Sequence, residues 1–237
     1  MPGCTTSGRD HMRTILRRAL LVAIIVTVGP IAVFRWVPPP TSAFMMERRV
    51  VNLFRARHVP VRYHWVSLRR ISPHMRLAVI AAEDQKFPTH WGFDFESISK
   101  AMEKGSVRSR ERGASTISQQ VAKNLFLWPG KSYLRKGVEA YLTVVMEALW
   151  PKKRILEIYL NIAEFGDGTY GVGAASERYF RKEPSQLTPW ESALLAAVLP
   201  SPKRMHADRP SGYVRGRAQW ILWQMSHMDS VEAARKL

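Results

Sequence analysis

The sequence is poor in cysteine and in acidic side chains. A single cysteine, Cys4, occurs among 237 residues, which excludes an internal disulfide and a cysteine-based zinc cluster. Only 19 Asp and Glu stand against 36 Lys and Arg, which gives a formal net charge of +17. Such an excess predicts an anionic partner, whether nucleic acid, anionic lipid or a phosphate-bearing substrate. The chain also lacks internal repeats, and its length suits one substantial domain or two small lobes.

Uncharged apolar runs are short in this chain, except for ALLVAIIVTVGPIAVF at residues 19–34. With Trp36 as an interfacial anchor, this run approaches the ~20 residues that a bilayer-spanning helix needs. A cleaved signal peptide is the alternative interpretation. However, three prolines at residues 38–40 follow the run, where a signal peptide would have a small-residue cleavage site. We therefore predict a retained transmembrane anchor over residues 19–37.

The charges around the anchor indicate its orientation. Arg13, Arg17 and Arg18 precede the apolar run, and the positive-inside rule places such a flank in the cytoplasm. This predicts a single-pass protein of the cytoplasmic (inner) membrane with its main domain on the periplasmic or extracytoplasmic side. The predicted parts are a basic N-terminus (1–18), the anchor (19–37), a linker (38–59), the main domain (60–228) and a tail (229–237).

The main domain is predicted to be mainly α, because no alternating stretch is long enough to predict a sheet. Ser72 and Pro73 form a helix start, and the apolar residues 77–82 then indicate a buried segment. Glu83 comes at the end of that helix. A carboxylate on an apolar wall is desolvated, which raises its pKa toward the range useful for proton transfer. The alternative is a helix-end acid that faces water.

The next predicted helix carries a donor-rich face. Ser115 or Thr116 can cap it, and its apolar stripe is Ile117, Val121 and Leu125. Gln120, Lys123 and Asn124 are spaced i, i+3, i+4 and share a neighbouring face. These side chains suit phosphate or sugar oxygens, although an ordinary solvated helix face has the same pattern.

A further helix over residues 132–149 brings two cations to one carboxylate. Arg135 and Lys136 lie four and three residues before Glu139, so both can reach it. An ordinary surface ion pair of this kind is worth ~0.5 kcal/mol or less. The functional alternative is a carboxylate that holds cations in place to bind a substrate anion.

The other segments are mostly predicted helices. These cover residues 95–103, 151–165, 172–180, 189–199 with a capping box from Thr188 to Glu191, and 213–228. Glycines at 166, 168 and 171 predict a tight turn. The basic segment 104–112 is predicted to be a loop, either solvated or in contact with anionic lipid headgroups.

Five motifs occur in an order that resembles the monofunctional peptidoglycan glycosyltransferases, a family that shares its catalytic module with bifunctional class A penicillin-binding proteins. They are Glu83 to Phe87 with His90, Gly92 and Asp94; GASTISQQVAKN at 113–124; Arg135 and Lys136 with Glu139; RILEIYLN at 154–161; and ALLAAVLPSP at 193–202. The resemblance covers about residues 60–225. The one departure noted is Ala114, where many relatives have glycine, and it leaves the catalytic positions intact.

The resemblance implies an anchored, two-lobed and partly lysozyme-like helical domain, with no room for a transpeptidase domain. It implies transfer of the growing lipid-linked glycan onto the GlcNAc 4-hydroxyl of lipid II, with inversion and release of undecaprenyl diphosphate. Glu83 would be the general base and Glu139 the second catalytic glutamate. The remaining site residues would bind the pyrophosphate: Lys123, Arg135 and Lys136 as cations, and Ser115, Gln120 and Asn124 as neutral donors.

The resemblance also implies partners. These are lipid II, the nascent lipid-linked strand and membrane lipids, with cell-division or cell-wall synthesis proteins as candidates and without nucleic acid. No cofactor is assigned, although Mg²⁺ or Mn²⁺ is a candidate aid to the leaving group. Residues 125–128 are expected either to dip into the bilayer or to pack in the core. Two alternatives remain: a lysozyme-like lytic transglycosylase or hydrolase, and a non-enzymatic membrane-anchored cell-wall scaffold.

Overall fold

The computed structural model describes residues 6–54, 58–96, 99, 115–130 and 132–227. The chain divides into two units, residues 1–37 and 38–237. The first unit contains helix α1 (Thr6–Phe34). Its stretch His11–Phe34 contains an 18-residue window with a mean hydropathy of 2.0, and it is long and apolar enough to cross a membrane. This helix is compatible with the predicted anchor.

The second unit is mainly helical, which confirms the predicted fold class. The helices in its described residues are α2 (Ala43–Leu53), α3 (Pro73–Glu83), α4 (Ile117–Phe126), α5 (Tyr133–Leu149), α6 (Lys152–Ile162), α7 (Gly171–Phe180), α8 (Pro189–Val198) and α9 (Gly212–His227). Short 3-10 turns lie at Leu68–Arg70 and Pro184–Gln186.

Polar caps begin the helices that carry the predicted motifs. The Ser72 hydroxyl accepts a hydrogen bond from the His74 N–H at 3.3 Å at the start of α3. Thr116, and not Ser115, caps α4 in a capping box with Gln119. Thr188 caps α8 as predicted. Each such cap satisfies backbone donors that have no partner inside the helix, and is worth about 1 kcal/mol.

The core of this unit forms around α6 and α8. Residues 192–198 of α8 are all buried, as are residues 155–162 of α6 except Glu157. Helix α6 packs against α4 and α7, while α8 packs against α3 and α9. Burial of each Leu or Ile side chain contributes roughly 1.5–3 kcal/mol. These two helices therefore fix the positions of α3 and α4, on which the candidate site depends.

One polar side chain in α6 is buried and fully engaged. The Asn161 amide accepts from the Val66 N–H and donates to the Val66 carbonyl, both at 2.8 Å. A buried amide without such partners would cost about 1–3 kcal/mol. Asn161 therefore holds the segment that leads into α3 against α6.

A small three-stranded sheet lies beside α7. Strand β3 (Thr169–Tyr170) lies between β1 (Arg62–Tyr63), parallel to it, and β2 (Glu164–Gly166), antiparallel to it. The turn between β2 and β3 uses Gly168 at φ +70°, as the glycine pattern predicted. Strands of two or three residues are too short for an alternating pattern, so they could not be predicted from the sequence.

Two segments differ from the prediction. The helix predicted over 151–165 ends at Ile162, because Glu164 begins β2. Residues 38–59, predicted to be a linker, contain α2, which packs against α4. The buried residues of α2 include Arg48 and Asn52, so its inward face lacks a clean apolar stripe. Arg48 pairs with Asp167 at 2.8 Å and so joins α2 to the turn of the sheet.

Three other predictions can be compared only in part. The loop predicted over 104–112 lies outside the described residues, as does most of the helix predicted over 95–103. In the segment 125–128, Leu125 and Leu127 are buried and Trp128 is 55% exposed. The two leucines thus pack in the core.

Candidate functional site

Glu83 is the last residue of α3, at the end of a buried apolar wall. Val79, Ile80 and Ala81, which precede it, are buried. Its own side chain is 16% exposed. This desolvation raises the pKa of the Glu83 carboxyl, against the opposing influence of the Gln120 hydrogen bond and of the cations Arg217 and Lys123. The carboxyl therefore binds a proton more readily than an exposed glutamate.

Gln120 connects Glu83 to helix α4. Its Nε2 donates to Glu83 Oε2 at 3.0 Å, and its Oε1 accepts from the Tyr159 hydroxyl at 3.2 Å. Burial raises the pKa of Tyr159 well above its ordinary value, so this phenol stays protonated and remains a donor. Tyr159 thus orients the amide so that its NH₂ group faces the carboxylate.

Asp84, next to Glu83, joins α3 to the start of α4. Its Oδ2 accepts the backbone N–H of Ile117 at 2.9 Å and also contacts His90 Nε2 at 2.9 Å. A carboxylate at a helix N-terminus is stabilised by the free N–H groups and by the helix dipole. This contact fixes α4, with Gln120 and Lys123, relative to the end of α3.

The cations predicted on α5 meet around a buried acid. Glu139 Oε2 accepts from Arg135 Nη1 at 2.8 Å, and Lys136 Nζ contacts Glu139 Oε1. The Glu139 side chain is 2% exposed, so this is not an ordinary surface pair. Lys136 is half exposed and can meet a ligand while it holds Glu139.

Lys123 belongs to the same cluster. Burial lowers the pKa of its ammonium group, and the nearby Arg135 and Lys136 lower it further, while Glu139 and Glu83 raise it. An anion bound among these cations would favour the charged form of Lys123. The cluster is therefore arranged to receive negative charge.

Three neighbouring cavities surround these groups. A cavity of about 830 Å³ is lined by the three cations with Ser115, Gln120 and Glu139. A second of about 470 Å³ shares Phe44, Gln120 and Lys123 with the first, and contains Asn124, Lys203 and Arg204. A third of about 270 Å³ contains Glu83 and shares Ser115 with the first. The acid and the cations thus face adjoining spaces.

The structure brings most of the predicted residues together around Gln120 and Ser115. Asn124 is the exception, because it lines the second cavity and not the one that contains Arg135 and Glu139. The contacts of Tyr159 and Arg217 were not predicted from the sequence. Arg217 Nη2 lies 3.8 Å from Glu83 Oε1. Arg217 is remote from Glu83 in sequence. Tyr159 is spaced with Ile155, Ile158 and Ile162 as part of one apolar stripe of its helix, so no local pattern indicated either contact.

In the part of the chain that the structure describes, the acidic side chains near the cation cluster are too few and too engaged for a metal site. Among the described residues, no group of three or more His, Cys, Asp or Glu side chains could hold a metal ion. Glu139, the nearest acid to the cation cluster, already has both oxygens engaged by Arg135 and Lys136. These residues do not fit a protein-only Mg²⁺ or Mn²⁺ site, which requires several free oxygen ligands.

Comparisons with known proteins indicate the family of this chain. The family model described as Transglycosylase matches residues 51–226. The chain is 56% identical over 219 residues to the "Biosynthetic peptidoglycan transglycosylase" of Klebsiella oxytoca. The aligned residues cover 92% of this chain and 90% of the relative. The protein of the same name from Escherichia coli (strain K12 / DH10B) is 56% identical over 218 residues, which cover 91% of this chain and 90% of that relative. The chain therefore belongs to the transglycosylase family.

Proposed function

We propose that this protein polymerises peptidoglycan glycan strands, by transferring a growing lipid-linked glycan onto the GlcNAc 4-hydroxyl of lipid II. The observation that carries this proposal is the link between an acid and an anion site. Glu83 is hydrogen-bonded through Gln120 to the helix that bears Lys123, and the cation cavity adjoins the cavity of Glu83. Such a reaction needs both parts, a base for the acceptor and positive charge for the leaving group.

Glu83 is the general base in this proposal. Its carboxylate takes the proton of the acceptor 4-hydroxyl as that oxygen attacks the anomeric carbon of the donor. The new glycosidic bond forms on one face as the bond to the pyrophosphate oxygen breaks on the other, which inverts the centre. The raised pKa of Glu83 makes its carboxylate a stronger base than an exposed glutamate.

The cation cluster stabilises the leaving diphosphate. Arg135, Lys136 and Lys123 line one cavity, and charge-assisted hydrogen bonds from such groups are about twice as strong as neutral ones. Glu139 acts through Arg135 and Lys136, which it holds in position. Ser115 and Gln120 supply neutral contacts, and Asn124 supplies them in the second cavity. No step of this mechanism is assigned to a metal.

The membrane arrangement suits a lipid-linked substrate. Helix α1 can span a bilayer, and the arginines at 13, 17 and 18 favour a cytoplasmic N-terminus. The catalytic domain would then lie outside the cytoplasmic membrane, where polyprenyl diphosphate substrates present their headgroups. The comparisons give no support to a lytic hydrolase or to a non-enzymatic scaffold.

The test is a polymerisation assay with purified full-length protein and labelled lipid II. Glu83→Gln should abolish turnover while lipid II binding persists, because the amide keeps the shape but cannot accept the proton. Lys123→Ala and Arg135→Ala should weaken donor binding as well as rate. Equal loss of binding in all three variants would contradict this division of roles. Release of soluble muropeptides from sacculi, without polyprenyl diphosphate, would instead indicate a lytic enzyme.

A further inference from the structure

Helix α9 carries a shallow groove beside the candidate site. A space of about 420 Å³ is lined by Tyr213, Gly216, Arg217 and Trp220, which we call the α9 groove. These residues are spaced i, i+3, i+4 and i+7, so they share one face of the helix. The opposite face holds the helix to the core through Val214, Ala218, Ile221 and Met225, which are buried. The groove therefore lies on a firmly packed element.

The α9 groove is continuous with the surroundings of Glu83. Trp220 lines both the groove and the cavity that contains Glu83 and Ser115. Arg217 lines the groove and approaches Glu83 Oε1 at 3.8 Å. Its buried Nε has no hydrogen-bond partner among the described residues. The Arg217 side chain is 24% exposed, so the part of the guanidinium that lines the groove can donate to an oxygen-rich ligand that also reaches Glu83.

The groove combines two aromatic rings with an open floor. Trp220 is 43% exposed and Tyr213 is 64% exposed, so each keeps accessible ring surface. Between them, a Cβ added at Gly216 would meet nothing within 4 Å. Aromatic walls with one well-placed polar group are typical of small-ligand sites, in which the rings supply contact area and the polar group fixes orientation.

We propose that the α9 groove binds one saccharide ring of the glycan substrate, next to the ring whose hydroxyl reaches Glu83. The ring would place its C–H face on Trp220, and Arg217 would donate to its oxygens. This inference rests on the proposed function and adds a subsite to it. A lipid chain is a poorer occupant, because it offers no acceptor to the Arg217 guanidinium that lines the groove. The pyrophosphate is also a poorer occupant, since the cation cluster lines a different cavity.

The experiment compares variants of the full-length protein in detergent. Trp220→Ala removes the stacking surface. Trp223→Ala is the matched control, because Trp223 is 54% exposed on the same helix, stacks on His227 and does not line the groove. Gly216→Leu fills the groove from its floor, where an added Cβ meets nothing within 4 Å, and it keeps the proposal testable should Trp220→Ala impair folding.

Two measurements are made on each variant. One is the steady-state rate with lipid II. The other is binding of a soluble GlcNAc–MurNAc tetrasaccharide that lacks stem peptides, followed by isothermal titration calorimetry. Trp220→Ala and Gly216→Leu should each weaken tetrasaccharide binding and raise KM roughly 3- to 10-fold, as expected for one lost aromatic contact, with a smaller change in kcat. Trp223→Ala should behave as the wild type.

The proposal is overturned if the three variants bind the tetrasaccharide equally. It is also overturned if the two groove variants lose affinity only for the free stem pentapeptide, or only for substrate-free phosphatidylglycerol vesicles, since the groove would then contact peptide or membrane. These outcomes leave the proposed function intact, provided that Glu83→Gln still abolishes turnover. Turnover by Glu83→Gln would instead refute the proposed chemistry. The binding of the tetrasaccharide would then still decide whether the α9 groove binds a saccharide.

Discussion

Removal of the Glu139 carboxylate should destabilise the fold strongly. Glu139 is 2% exposed, and its partner Arg135 is 11% exposed, so Glu139→Ala leaves a guanidinium charge buried without its acid. Lys136 and Lys123 line the same cavity and add to the repulsion. Breaking a buried pair in this way costs about 3–5 kcal/mol. That is a large part of the ~5–15 kcal/mol by which a typical domain is stable.

Thermal unfolding of the detergent-solubilised full-length protein, followed by circular dichroism, measures the loss. For a chain of this size, each kcal/mol lowers Tm by about 2–4 °C, so Glu139→Ala should lower it by roughly 6–20 °C. Glu183→Ala is the matched control. Glu183 pairs with Arg70 at 3.2 Å, but the two side chains are 64% and 72% exposed. Loss of such a surface pair costs about 0–1 kcal/mol.

The same experiment, repeated with an added anion, tests whether the cations around Glu139 form an anion site. Inorganic pyrophosphate should raise the Tm of Glu139→Ala more than that of the wild type, because a bound anion replaces the missing negative charge among the cations. A Tm for Glu139→Ala within about 2 °C of that for Glu183→Ala would refute the reasoning. A pyrophosphate effect equal in both proteins would refute the link to the anion site.

Four other predictions concern Glu83 and two glycines. Turnover should rise with pH through the raised pKa of Glu83, because the neutral carboxyl cannot accept the acceptor proton, and a rate–pH profile checks this. The stability of the wild type relative to Glu83→Gln should fall as the pH rises from 4.5, the ordinary pKa of a glutamate, through the raised pKa of Glu83. The reason is that the folded protein must then hold a buried negative charge. Denaturant titrations at several pH values measure this difference. Gly168→Ala should destabilise the fold by more than about 1 kcal/mol, because φ is +70° and the new Cβ would lie 2.5 Å from the Pro60 carbonyl oxygen. By contrast, Gly137→Ala inside α5 meets nothing within 4 Å and should gain about 0.5–1 kcal/mol in the same chemical denaturation assay.

The sequence predicts the helices of the site well because their signals are local. Capping residues such as Ser72 and Thr188 mark where helices begin, and both caps are present in the structure. The spacing of Arg135, Lys136 and Glu139 within one helix is enough to predict their contacts. The resemblance to a family added the expectation that Glu83 lies near these groups.

Contacts between distant segments could not be predicted in the same way. Arg217 approaches Glu83 across 134 residues of chain (217 − 83), and only the packing of α9 against α3 brings them together. The hydroxyl of Tyr159 contacts Gln120, although its place in an apolar stripe predicts core packing alone. Helix α2 was missed because Arg48 and Asn52 point inward, where they bind Asp167 and the Val59 carbonyl. In each case a polar group is buried against a remote partner, which a periodic pattern does not reveal.

The hydrogen bond from the Ile117 N–H to Asp84 has a mechanical consequence. Asp84 directly follows Glu83, and Ile117 begins the helix that bears Gln120 and Lys123. A tilt of α4 would therefore displace the residue adjacent to Glu83. The proposed base and the proposed anion-binding side chains of α4 thus cannot move independently of each other unless this hydrogen bond breaks.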